Sequence, residues 1–142
     1  MKVALGSDHA GLSLKLDVVE HLQKAGHLVA DHGTNTSGSC DYPDFAKAVA
    51  HAVRDGEADL GILVCGTGQG MAMTANRVDG IRAAVVADTF SARGTRAHND
   101  ANVLCMGQRV IGAGLALEIV DAFLSTPFEG GRHARRVGKI EG

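Results

Sequence analysis

The chain has 142 residues, a net charge of −2, and 45% hydrophobic against 21% charged side chains, the composition of one folded domain and not of a disordered one. With that charge and only 4% aromatic residues, the chain as a whole is neither an electrostatic nor a stacking binder of nucleic acid. No apolar run approaches the ~20 residues of a membrane span, the stretch from Met1 to Asp8 reaches an acid too soon for a signal peptide, and Cys40, Cys65 and Cys105 form neither a disulfide framework nor a CxxC metal site, so a soluble cytoplasmic protein with free thiols is expected.

Lys2 to Gly6 is a short apolar run that reads as a strand, followed by the loop Gly6 to Gly11. Leu12, Leu16 and Val19, with Leu14, Val18 and Leu22, space as adjoining ridges of a helix. Gly26 suits the residue just beyond its end. His27 to Asp31 reads as a second strand, Gly33 to Asp44 as a polar loop, and Phe45 to Arg54 as a helix. Leu60 to Cys65 is nearly all apolar, as a strand covered on both faces must be. After Gly66-Thr67-Gly68-Gln69-Gly70 come a helix from Met71 to about Arg77, a strand from Ile81 to Ala87, and a helix from Ser91 to Ala97. Asn102 to Met106 is a fifth strand, Leu115 to Leu124 a helix stopped by Pro127, and a short basic helix begins at about residue 131.

Strands alternate with helices throughout, which predicts an α/β fold with a parallel sheet and right-handed crossovers. Ligands on such sheets bind outside the carboxyl ends of the strands. The segments expected to converge are therefore Ser7-Asp8-His9, Cys65 to Gly70, Asp88, and Met106 to Arg109.

The glycines Gly66, Gly68 and Gly70 either make a tight strand-to-helix turn or present backbone N–H groups as an anion nest. The loop is not a P-loop, because no Gly-Lys-Ser/Thr follows, and Leu12 stands where such a lysine would be in the first loop. Cys65 is either a small core residue or, facing that nest and a helix N-terminus, a thiolate able to act as nucleophile or base. Cys40 and Cys105 lack that setting and read as structural. His98-Asn99-Asp100 is either a helix cap or a general acid/base with an amide beside it. Asp8 and His9 lack the further ligands a metal would need. His21, His27, His32 and His51 read as bystanders. If helical, Arg132 and Arg136 share one face, which suits a phosphate dianion, a solvated helix end or a nucleic-acid patch. Asp88 ends a strand where a ribose-binding acid would sit, which keeps a nucleotide-binding regulatory module as the alternative from another class.

Five motifs resemble, in order, those of the type B ribose-5-phosphate isomerases, grouped with galactose-6-phosphate and allose-6-phosphate isomerases. They are Gly6-Ser7-Asp8-His9-Ala10-Gly11, Asp41-Tyr42-Pro43-Asp44, Cys65-Gly66-Thr67-Gly68, His98-Asn99-Asp100-Ala101-Asn102-Val103-Leu104 and Phe128-Glu129-Gly130-Gly131-Arg132-His133. The resemblance covers almost the whole chain and implies one isomerase domain over residues 1–142. It implies a Rossmann-like αβα sandwich with a five-stranded parallel sheet, and a homodimer with its site at the interface, in some members paired to a tetramer.

The implied chemistry interconverts an aldose phosphate and a ketose phosphate, as in the pentose phosphate pathway, with no metal and no organic cofactor. By the same resemblance Cys65 is the base between C1 and C2, Thr67 its hydroxyl partner, and Gly66 to Gly70 the anion hole. His98, from the partner subunit, opens the sugar ring. Asp8, Tyr42 and the partner's Asn99 touch the sugar. His9, Arg132 and Arg136 form the phosphate site, with Arg109 reaching across the interface. Some members carry a glutamate base one turn into the helix; Met71 stands there and cannot serve, so the chain is of the cysteine type. Met71, Met73 and Arg77 depart from the usual Ile/Val, Ile and Lys. They leave open the same chemistry on a hexose 6-phosphate such as allose or galactose 6-phosphate, or on a tetrose 4-phosphate.

Overall fold

The computed structural model describes residues Met1–Gly142. Strands β1 (Lys2–Ser7), β2 (Leu28–Asp31), β3 (Leu60–Cys65), β4 (Ala83–Val85) and β5 (Val103–Gly107) form one sheet in the order β2-β1-β3-β5-β4. Every pairing is parallel. The helices are α1 (Leu12–Lys24), α2 (Tyr42–Arg54), α3 (Gln69–Ala75), α4 (Thr89–Asn99), α5 (Ala113–Ser125) and α6 (Arg132–Glu141). Period-two alternation divides the core. Val3, Leu5, Ile62, Val64, Leu104 and Met106 pack under α1, α4 and α5. Ala4, Leu63, Cys65, Val103 and Cys105 pack under α2 and α3. All six residues of β3 are buried, as its apolar run requires. The accessible surface is 6838 Å², against the ~6,900 Å² that mass scaling gives for a compact chain of this size. No helix is long and apolar enough to cross a membrane.

Several boundaries differ from the sequence expectation, each for a local reason. Helix α2 begins at Tyr42, three residues early, because Pro43 sits in its first turn, where a fixed φ and a missing N–H cost nothing. Strand β4 keeps three of seven expected residues. The Arg82 and Ala83 N–H groups go to the side chains of Asn102 and Asn76, both at 2.8 Å. Asp88 caps α4, accepting from the Ser91 N–H at 2.6 Å and the Ser91 hydroxyl at 2.9 Å. These bonds hold its carboxyl below the usual range and occupy both oxygens, so the acid that would serve a ribose is already engaged.

Of the two ridges on α1, Leu14, Val18 and Leu22 turn inward while Leu16 stays half exposed. Lys15 lies on the buried face with no exposed surface. Its ammonium reaches both oxygens of Asp31, at 2.7 and 2.9 Å, the Asn35 side-chain oxygen at 2.8 Å and the Thr34 carbonyl. A charge taken out of water requires such a set of partners. The ammonium ties α1 to the start of the long loop between β2 and α2.

From β1 the chain moves outward to β2 and then returns to place β3 on the other side of β1. That reversal opens a crevice at the carboxyl ends of β1 and β3.

Candidate active site

The crevice is a cleft of about 330 Å³ lined by Asp8, His9, Ala10, Tyr42, Cys65, Gly66, Thr67, Gly70 and Arg109. Asp8 follows β1 and is buried. One of its oxygens accepts from the Ala10 and Gly11 N–H groups at 3.0 and 3.1 Å, leaving the other free. His9 Nδ1 accepts from the Cys40 N–H at 3.2 Å. That bond places the ring proton on Nε2, as a donor. The Cys40 sulfur lies 3.8 Å from the same nitrogen, so Cys40 meets His9 through both its backbone and its thiol.

Cys65 ends β3, and its sulfur accepts from the Gly68 N–H at 3.1 Å, a bond that becomes charge-assisted when the sulfur ionises. Gly68 has φ +82°, the left-handed conformation glycine adopts without penalty. It turns the chain so that α3 starts immediately behind the sulfur. The Thr67 hydroxyl accepts from the Gln69 N–H at 3.3 Å and stands at the cleft mouth. The ends of β3 and β5 are joined: Gln108 and Arg109 donate to the carbonyls of Cys65 and Gly66 at 2.9 and 3.0 Å. The Gln108 side chain also accepts from the Leu14 N–H at 2.9 Å. Arg109 lies over Gly66, where an added Cβ would meet its guanidinium at 3.5 Å. It thus lines the cleft of its own chain. Cys105 is enclosed in the core, where burial and the neighbouring Cys65 push its thiol pKa far up.

Tyr42 forms the opposite wall. A Cβ on Gly70 would lie 2.3 Å from the Tyr42 ring, closer than any real contact allows. Gly70→Ala should displace the ring. The expected result is a fall in kcat/KM of roughly 10-fold, carried mainly by KM, as for lost substrate positioning. Steady-state kinetics with the variant checks this.

Four expected site residues lie outside this cleft. His98 and Asn99 are at the end of α4, and Arg132 and Arg136 are exposed one turn apart on α6. Asn99 borders a larger hollow of about 440 Å³ beside β4. There Arg82 is paired with Asp100 and Glu141, and the lining includes neither a cysteine nor a histidine. His98 stacks on His133, with centroids 4.4 Å apart. Glu129 faces both rings, 3.7 Å from each Nε2. Glu129, His133, Cys40, Gln108 and Lys15 are absent from the sequence-based site. Lys15 carries a readable signal, since it falls in phase with Leu14, Val18 and Leu22, and Glu129 and His133 stand in the motif Phe128 to His133.

The family pattern described as Ribose/Galactose Isomerase matches residues 3–140. The D-erythrulose-4-phosphate isomerase of Pectobacterium atrosepticum is 46% identical over 141 residues, 99% of this chain and 93% of that one. Among solved structures, ribose-5-phosphate isomerase B of Clostridium thermocellum superposes with a TM-score of 0.99 at 54% identity, over 99% of this chain and 95% of that one. The same enzyme from Mycoplasma genitalium, with bound ribulose 5-phosphate, superposes with a TM-score of 0.95 at 46% identity, over 99% and 93%.

Proposed function

Because the chain belongs to the ribose/galactose isomerase family and is a sugar-phosphate aldose–ketose isomerase, we propose that it interconverts ribose 5-phosphate and ribulose 5-phosphate through a cis-enediolate, with residues 1–142 acting as one domain. The observation that carries this reading is the cleft itself. One buried thiol, hydrogen-bonded by the turn of Gly66 to Gly70, faces a free Asp8 oxygen, a His9 donor and Arg109.

The Cys65 thiolate takes the C2 proton of the open-chain aldose. The electron pair moves into a C1–C2 double bond, and negative charge passes to the C1 oxygen. Backbone N–H groups of the turn stabilise that charge as it develops. The Thr67 hydroxyl carries a proton between O1 and O2, and Cys65 returns its proton to C1. Net, one hydrogen has moved from C2 to C1 and one from O2 to O1, and no electron has left the substrate. Asp8 and Tyr42 hold the sugar hydroxyls. His9 and Arg109 meet the phosphate end, fixing the reacting carbons at the thiolate.

His98, Asn99, Arg132 and Arg136 lie on a surface that a second copy can offer to this cleft. We assign them to a homodimer in which the partner subunit's His98 opens the ring, the partner's Asn99 touches the sugar, and the arginines complete the phosphate site. The relative acting on D-erythrulose 4-phosphate supports a second reading, the same chemistry on a tetrose 4-phosphate. Every group in the scheme is a protein group, so a chelator should leave turnover unchanged. A coupled assay with ribose 5-phosphate, run with and without chelator, is the test. Equal rates are expected; turnover of erythrose 4-phosphate alone would shift the substrate to the tetrose.

A further inference from the structure

The cluster of His98, Glu129 and His133 lies outside the cleft, and the scheme above uses only one of its members. The chain folds back to build it. The Glu129 N–H donates to the Ala97 carbonyl at 3.0 Å, which pins the carboxylate beside the last turn of α4. After the turn at Gly130 and Gly131, α6 brings His133 under the same carboxylate. His133 is 6% exposed, and its Nε2 has no hydrogen-bond partner. Burial, with Arg132 and His98 nearby, lowers its proton affinity. It is a neutral ring stacked on His98 at an interplanar angle of 12°.

All the candidate ligand atoms fall within 4.8 Å of one another, which raises a cation as occupant. Two imidazoles so nearly parallel cannot both aim an in-plane lone pair at one ion, and Arg132 and Arg136 oppose a further positive charge. The arrangement suits a proton carrier better.

We propose that Glu129 is the positioning residue for His98: its carboxylate takes the Nε2–H of His98 and leaves Nδ1 as the basic nitrogen, while His133 backs the ring. This rests on the reading of His98 as the ring-opening group. In that step Nδ1 removes the proton of the C1 hydroxyl, a C1=O bond forms, and the C1–O4 bond breaks with its electron pair going to O4. O4 then takes the proton back from the imidazolium, so one proton has moved from O1 to O4 and nothing else is consumed. The separations of 3.7 Å are longer than a hydrogen bond, and contacts of this kind tighten once substrate is bound.

The test separates ring opening from enolisation. Ribulose 5-phosphate carries its phosphate on the oxygen that would close a furanose at C2, so it is always open-chain. Its exchange of C1 hydrogen with deuterated solvent, followed by NMR, needs no ring opening. Glu129→Gln should lower kcat/KM for ribose 5-phosphate by roughly 10- to 100-fold, a part of the ~10²–10⁴ a general acid/base supplies, with the exchange rate within twofold of wild type. Nitrogen NMR should find the His98 proton on Nε2 in the wild type and divided between tautomers in Glu129→Gln. Equal losses in both assays, no loss in either, or an unchanged tautomer would overturn the proposal. If wild type fails to turn over ribose 5-phosphate, the functional reading fails instead, and the tautomer measurement still judges Glu129. Because Glu129 is exposed, the variant's thermal midpoint should match wild type.

Discussion

Replacing Cys65 with alanine should lower isomerase activity by about 10³-fold or more, since the proposed mechanism takes its base from that thiol. Asp8 has one oxygen committed to backbone donors and the other assigned to the sugar hydroxyls, and His9 accepts through Nδ1; both follow β1, whereas the thiol stands at the end of β3. The fold should tolerate the change, because the side chain removed is small and its one hydrogen bond is to a backbone N–H in a turn. Titration calorimetry with ribose 5-phosphate should find the affinity of the variant within a few-fold of the wild-type KM, as phosphate contacts remain. Cys65→Ser should be nearly as inactive, because a hydroxyl does not ionise at neutral pH. A variant retaining a tenth of wild-type activity would remove the cysteine from the mechanism.

Lys15→Met should cost about 3 kcal/mol of stability, the low end for breaking a buried ion pair. The partner Asp31 is 26% exposed and recovers some hydration, whereas Asn35 and the Thr34 carbonyl lose their donor. For a chain of this size that lowers the melting midpoint by about 10 °C. Calorimetry on Lys15→Met and on the double variant Lys15→Met/Asp31→Asn checks the cause. If the penalty is the orphaned carboxylate, the double variant should be the more stable of the two. If both lose equally, the loss comes from the loop and not from the charge.

Why the sequence reveals one half of this site and hides the other follows from the kind of contact involved. Strand β3 is legible because a run such as Leu60 to Cys65 has few other places to be. The rule that ligands sit beyond strand ends then brings Asp8, Cys65 and Arg109 together without a structure. What stays hidden depends on distance or on backbone atoms. The Cys40 N–H that sets the His9 tautomer would be there with many other side chains at position 40. The Gln108 side chain accepts the Leu14 N–H and so ties β5 to α1, a contact that no motif encodes. His98, Arg132 and Arg136 lie on the same chain as Cys65, yet nothing in their spacing says that the fold sets them on another face. Lys15 misleads because a lysine in a helix normally marks the solvated side, and here the local preference gives way to four oxygens waiting beneath it.

The bonds joining Cys65 and Gly66 to Gln108 and Arg109 have an evolutionary consequence. Cys65, the turn after it and Arg109 descend together, tied to the buried ends of β3 and β5, where few substitutions survive. Tyr42 and the Cys40 backbone descend separately, at the start of α2 and in the surface loop before it, and surface loops tolerate change more readily than a buried strand. Reaction and recognition can therefore diverge at different rates. A lineage can drift from a five-carbon to a four-carbon sugar by remodelling the outer segment, while the proton-transfer machinery passes on unaltered.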